Sequence, residues 1–300
     1  MRKPHTERFL KSLIKNKVFN EAIKAIDYSH RTAGLKPKGV MLLGPSGVGK
    51  STIVHAYRKK FPDIALDDRT LRPILFISLH AKCTAHDIVS ALLAECDDPA
   101  PDKGVFRNKI IRFNRLAASL KVELIIIDEI QHVLPEHTHR RTQEAADTIK
   151  SITTDTGIPF ILVGLPHSKR LLKDDIEGKY SEDQLIRRFN APILLSPAPL
   201  GSKAWSNLMA SYQQALGVPC ISLNTEQMLK RFHLATSGLH GFVANLLEFA
   251  LEEVDEGEQI CLKHLARAYD FCTSVQPFKG NPFLMSMSQV NRALGVTSNA

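Results

Sequence analysis

The chain has 300 residues, 44% of them hydrophobic, enough to bury a full α/β core and a smaller second unit. Its net charge of +8 favours an anionic partner, and no apolar run approaches the roughly 20 residues that span a bilayer, so no membrane partner is expected. Five cysteines (Cys83, Cys96, Cys220, Cys261 and Cys272) form no CxxC pair and read as reduced thiols of a cytoplasmic protein.

Residues 1–36 carry helical periodicity, with Phe9, Leu13 and Ile14 on one face and then Ala22, Ile23 and Ile26. Arg2, Lys3, Glu7, Arg8, Lys11, Lys15 and Lys17 interrupt them too often for a signal-peptide core. They are expected to form a helical extension, ended by Gly34-Leu35-Lys36-Pro37, lying over the edge of a sheet near an adenine. A first strand follows at Gly39–Leu43.

Gly44-Pro45-Ser46-Gly47-Val48-Gly49-Lys50-Ser51 comes directly after it and fits GxxxxGK[ST], the loop that cradles nucleotide phosphates. Glycines let successive backbone N–H groups point into one concavity around a β-phosphate. Lys50 adds charge at the β- and γ-oxygens, and the Ser51 hydroxyl suits magnesium. A helix running on through Thr52, with Ile53, Val54 and Tyr57 on one face, aims its positive end at the same phosphates. ATP and Mg2+ are the expected cofactors.

Pro73–Leu79 reads as the next strand, expected to lie between the strands that carry the two phosphate-site motifs. Beyond it come Lys82, Lys103, Arg107, Lys109, Arg112, Arg115 and Lys121. Residues 104–120 read as a helix with Ile110, Ile111, Leu116 and Leu120 inward. Its cations are then either a solvated face or a surface that tracks DNA phosphates, with Lys82, Lys103, Arg107 and Lys109 the candidate DNA contacts.

Leu124-Ile125-Ile126-Ile127-Asp128-Glu129 is an apolar run ending in two acids, the pattern of a strand buried on both faces. Asp128 is placed to hold the metal through water, and Glu129 to polarise the water that attacks a γ-phosphate. Residues 135–142 form a polar loop entering a helix through about Thr154. His132, His137 and His139 around it lack a completing Cys or carboxylate and read as loop histidines rather than a metal site. Strands at Pro159–Gly164 and Ala191–Leu195 bring the total to five, alternating with helices, which predicts a parallel sheet covered on both faces.

Ser196–Gly201 reads as a hinge. Helical spacing then recurs at 202–218, 225–236, 240–256 and 262–273, and the segment 276–300 is expected to be a flexible or docking tail. The resulting division is 1–36 extension, 37–200 core, 201–275 helical unit and 276–300 tail.

The phosphate loop, the Asp-Glu strand, five strands and four closing helices together resemble an AAA+ ATPase over about residues 38–270. That resemblance implies an α/β fold, a three-layer αβα P-loop domain with a small helical lid. Arg187-Arg188-Phe189 resembles the arginine-finger segment of initiator-type members, which implies that Arg188, or its neighbour Arg187, reaches into an adjoining subunit's nucleotide site. Within the class, Ile125-Ile126-Ile127-Asp128-Glu129-Ile130-Gln131-His132 and Ile158–Pro166 resemble the TniB/TnsC family of transposition regulators, some of them CRISPR-associated. By that resemblance the protein forms a hexameric or heptameric ring, or a filament, on double-stranded DNA when ATP-bound. It then recruits a transposase and a TniQ-type adaptor.

Two positions depart from the AAA+ pattern. The strand before Pro166 ends in Gly164 and Leu165 rather than Asn, Thr or Ser, leaving His167 and Ser168 as the nearest polar groups. Gly241-Phe242-Val243-Ala244-Asn245 lacks the expected lid arginine. Both departures favour a slow, ATP-gated switch. A replication-initiator or helicase-loader type of AAA+ protein, and a protein-binding signalling or secretion ATPase, are the rival readings; a small-molecule kinase is remoter.

Overall fold

The computed structural model describes residues 2–134, 139–172, 185–255, 257–272 and 278–295. In chain order these give α1 (Pro4–Lys11), α2 (Lys17–His30), β1 (Val40–Leu43), α3 (Lys50–Arg58), β2 (Ile64–Ala65), β3 (Thr70–Leu71), β4 (Ile74–Ser78), α4 (Ala85–Glu95), α5 (Phe106–Ser119), β5 (Leu124–Asp128), α6 (His139–Thr156), β6 (Phe160–Gly164), β7 (Ile193–Leu194), α7 (Lys203–Leu216), α8 (Glu226–Thr236), α9 (His240–Glu253), α10 (Leu262–Cys272) and α11 (Met287–Ala293). Two compact units result. One comprises Glu21–Ser46 and Lys50–Leu195, the other Met1–Asn20, Gly47–Gly49 and Ser196–Ala300. Among the described residues no single helix is long and apolar enough to cross a membrane.

The larger unit is built on a five-stranded sheet in the order β4-β5-β6-β1-β7, every pairing parallel. Helices cover both faces of its central strands, so β1, β5 and β6 are buried throughout and apolar but for Asp128, the last residue of β5, and Gly164, the last of β6. Fully burying each such Leu, Ile or Val side chain contributes about 1.5–3 kcal/mol. The two motif strands are separated, but not by the strand the sequence reading placed between them. β4 lies at the sheet edge, and β6 sits between β5 and β1. Chain order does not fix sheet order, since a crossover helix can carry the chain past its neighbour. The pair β2–β3, a small antiparallel hairpin, has no counterpart in that reading.

Helix α4 starts at a capping box, in which the Thr84 hydroxyl and the Asp87 carboxylate satisfy each other's backbone N–H groups. Helix α5 is rotated from the expected phase. Its inward line is Lys109, Phe113 and Ala117, with Phe106, Ile110, Leu116 and Leu120 packed alongside, whereas Ile111 is exposed. Those inward positions recur at three- and four-residue steps, and Ile111 falls outside the stripe by one residue, about 100° of helix turn.

The helical unit has its own core around Trp205, Tyr212, Phe232, Leu247 and Tyr269. Phe9 of α1 joins it, 6.2 Å from the Tyr212 ring, so the extension 1–36 does not behave as one body: residues 1–20 cluster here and residue 21 onwards with the sheet. Of the two alternatives for the tail, flexible or docking, the described part has the contacts of a docked segment. Within 278–295, Phe283 and Val290 are buried and α11 begins at a Ser286–Gln289 capping box. The buried Arg231 guanidinium donates to the carbonyls of Pro282 and Met285, which ties the segment down. Pro277, also assigned to that tail, lies outside the described residues.

Candidate active site

Register levels the carboxyl ends of three strands. Leu43 of β1 pairs with Gly164 of β6, and Ile127 of β5 pairs with Leu162. Gly44 N–H donates to the Gly164 carbonyl at 3.1 Å, starting the phosphate loop at this edge. Crevices at the carboxyl ends of parallel strands are where such sheets bind ligands.

Helix α3 starts at Lys50, whose side chain is buried, with Nζ donating to the Gly44 and Pro45 carbonyls at 2.8 and 2.9 Å. Burial pushes the Lys50 pKa down, while the nearby Glu129 and Asp128 carboxylates oppose that shift. Ser51 Oγ donates to Asp128 Oδ2 at 3.1 Å, and Asp128 is itself buried. Gly47 and Gly49 take φ of +76° and +99°, which L side chains rarely adopt, and an added Cβ at either would meet nothing within 4 Å. An open loop of this kind suits close approach by phosphates. Ser51 and Asp128 supply the hard oxygen donors that magnesium prefers, so the residues present fit a magnesium-bound nucleoside triphosphate. Pro45, Ser46, Val48 and Thr52 complete the loop and the first turn of α3.

Glu129 leaves β5 in the left-handed region, φ +57° and ψ +38°, and its N–H donates to Asp128 Oδ1 at 2.8 Å. That turn gives the two adjacent acids different surroundings: Asp128 is held against Ser51, and Glu129 accepts a hydrogen bond from Gln131 Nε2. Gln131 Oε1 in turn accepts from Leu165 N–H at 3.2 Å. The sequence reading gave Gln131 no role. Its only sequence signal was its place two residues after the acid pair.

Arg187 and Arg188 lie elsewhere, in a short 3-10 turn at Ile186–Arg188, and neither side chain has a hydrogen-bond or ion-pair partner among the described residues. The Arg188 carbonyl accepts from Gly39 N–H at 2.7 Å, and Asn190 N–H donates to the Gly39 carbonyl at 2.8 Å. The Arg187 carbonyl accepts from Lys38 Nζ. This turn is therefore fastened to the amino end of β1, opposite the end where Gly44 lies.

Of the four cations assigned to DNA, Lys82, Lys103 and Arg107 are exposed, but Lys109 is not. It faces inward from α5 and donates to Ser90 Oγ at 2.8 Å, so the outward band loses it. Arg112 is likewise committed, to the buried carboxylate of Asp98 at 2.5 Å and the Ala100 carbonyl at 2.9 Å. Among the described residues no group of three or more His, Cys, Asp and Glu could hold a metal ion; His137 and the His139 side chain lie outside them.

Three comparisons place this geometry among known proteins. The family model described as "Bacterial TniB protein" matches residues 10–196. No curated protein sequence matches the chain. Among solved structures, the ORC2 protein of Aeropyrum pernix, determined as ADPNP–ADP complexes, is similar at 14% identity and a TM-score of 0.63, over 90% of this chain and 72% of that one. The ORC1 protein of the same organism, in complex with DNA, gives 14% identity and a TM-score of 0.59 over 88% and 68%. RuvB of Thermotoga maritima, a Holliday-junction branch-migration motor, gives 17% and 0.51 over 96% and 86%. With a match across most of its length and a sheet, phosphate loop and acid pair in AAA+ arrangement, the chain belongs to the TniB family, on the AAA+ ATPase fold.

Proposed function

We propose that the protein is an ATP-dependent, DNA-binding regulator of transposition. In this reading it oligomerises on double-stranded DNA and recruits a transposase and a TniQ-type adaptor. The family match over residues 10–196 carries the reading. The DNA-bound ORC1 relative of the fold and the exposed Lys82, Lys103 and Arg107 support its DNA arm.

Lys50 and the loop amides would bind the β- and γ-phosphates, and Ser51 with Asp128 would hold Mg2+, which supplies charge neutralisation at the phosphate oxygens. Glu129 takes a proton from water as the water oxygen bonds to the γ-phosphorus. The bond from phosphorus to the β–γ bridging oxygen breaks, releasing ADP and inorganic phosphate. Gly164 and Leu165 put no side-chain hydroxyl or amide of their own at the end of β6, which supports slow turnover suited to a switch. Arg188, too far along β1 to serve its own site, is assigned to a neighbour's.

Fluorescence anisotropy of a labelled duplex, with and without ATP, tests the reading. Binding that requires ATP and ignores sequence is expected. Equal binding without ATP, or none under any condition, favours a protein-binding ATPase instead.

A further inference from the structure

We infer that Gln131 is a positioning residue for ATP hydrolysis, holding the Glu129 carboxylate in place and supplying the amide that the end of β6 does not. The inference rests on the ATPase reading above and concerns how its base is oriented.

The side chain of Gln131 spans two elements. Nε2 donates to Glu129 Oε2, and Oε1 accepts from Leu165 N–H at 3.2 Å, the first residue after β6. A carboxylate accepts and a backbone N–H donates, so only this orientation of the amide satisfies both neighbours. Glu129 itself sits on a left-handed turn, where a non-glycine backbone is strained unless its surroundings fix it. A carboxylate on such a turn, on a chain with several rotatable bonds, needs a tether to keep one orientation. Gln131 provides it.

The end of β6 is shaped to admit that tether. A Cβ added at Gly164 would lie 2.7 Å from Gln131 Oε1, 2.8 Å from Ile130 Cγ2 and 2.9 Å from Ser168 Oγ. Any side chain here would displace the Gln131 amide. The absent polar residue at position 164 and the amide from position 131 are thus one feature, the first making room for the second. Ser168 Oγ, fully buried and without a hydrogen-bond partner among the described residues, borders the same space.

The test compares full-length wild type, Glu129→Gln, Gln131→Ala and Gln131→Glu for ATP turnover with duplex DNA present, for affinity toward a fluorescent ATP analogue, and for thermal melting. Gln131→Glu keeps the size of the side chain and removes its donor. A positioning role predicts that both Gln131 variants lose roughly 10- to 100-fold in kcat, the scale of a misplaced catalytic group, with KM and analogue affinity changed less than about threefold. Turnover of Gln131→Glu at the wild-type rate would reduce Gln131 to packing and overturn the inference. So would a rise in turnover for Gln131→Ala, which would make the amide a brake. A wild type indistinguishable from Glu129→Gln would overturn the ATPase reading itself, and the inference with it, an outcome visible before either Gln131 variant is compared.

Discussion

Gly39 N–H donates to the Arg188 carbonyl at 2.7 Å, one of three hydrogen bonds that hold the Arg-Arg-Phe turn at the amino end of β1. From Gly39 to Gly44 the chain runs the length of β1, five residue steps, or roughly 16 Å at the rise of a parallel strand. No arginine side chain spans that distance back to its own phosphate loop. An Arg188 that touches a γ-phosphate must therefore touch another subunit's.

Arg188→Ala is accordingly expected to leave monomer affinity for ATP unchanged while reducing hydrolysis by roughly tenfold or more, as loss of a trans-acting arginine does in related phosphoryl-transfer sites. Mixing it with Lys50→Ala is the informative assay. In the proposed arrangement the two defects lie on different halves of one shared site, so mixtures should recover part of the activity, and no recovery at any ratio would count against the arrangement.

Lys50→Ala is expected to abolish ATP binding, and Glu129→Gln to retain binding while stopping turnover. In the proposed mechanism phosphate grip and water activation fall to separate elements, α3 and the turn after β5. Titration with a fluorescent ATP analogue, followed by phosphate-release assays, separates them.

The DNA surface is testable through salt. Every cation removed from a DNA phosphate should make the slope of log affinity against log salt shallower by about 0.9. Replacing Lys103 and Arg107 by alanine should reduce that slope and leave ATP affinity alone. Lys109→Ala serves as a contrast: it breaks the hydrogen bond from this buried lysine to Ser90 and should lower melting temperature rather than the salt slope.

Stability should also depend on pH through His240. Burial pushes its pKa down to about 4 from an ordinary 6.5. Its Nε2 meets Asn16 Nδ2 at 3.2 Å, and Asn16 cannot present its oxygen instead, because Oδ1 already accepts from Phe19 N–H at 2.7 Å. Nδ1 is then the protonated nitrogen, 2.6 Å from the Tyr212 hydroxyl, which donates to the His240 carbonyl. The neutral ring is satisfied on both sides, and a second proton would face a donor. The folded state therefore binds the proton more weakly than the unfolded state, so stability is lost as pH falls from 6.5 toward 4, by up to about 3 kcal/mol. His240→Gln should flatten that dependence in denaturant titrations across the window, relative to wild type.

Features set by local chemistry were legible in the sequence. The phosphate loop needs its glycines and lysine in fixed order, and β5 advertises itself because a strand buried on both faces is an unbroken apolar run, here up to Asp128 at its end. What failed depends on distant parts of the chain. The place of β4 at the edge is decided by crossovers, not by residues within it. The inward turn of Lys109 depends on α5 phase and on Ser90, which belongs to α4. The buried place of Phe283 depends on Phe232 and Tyr269, which come from other helices. Gln131 was hidden for the same reason: its meaning lies in Leu165 and Gly164, more than thirty residues on.

The hold of Arg231 on the carbonyls of Pro282 and Met285 has a practical corollary for handling the protein. A chain cut before residue 282 would lose both carbonyl acceptors of Arg231, at a cost of about 1–3 kcal/mol if the guanidinium stays out of water, and would also strip Phe283 from the aromatic packing around Phe232. Such a truncation would behave as a misfolding lesion, however dispensable a C-terminus looks on paper. Purification handles and fusion partners joined at that end should therefore leave residues 282–295 intact.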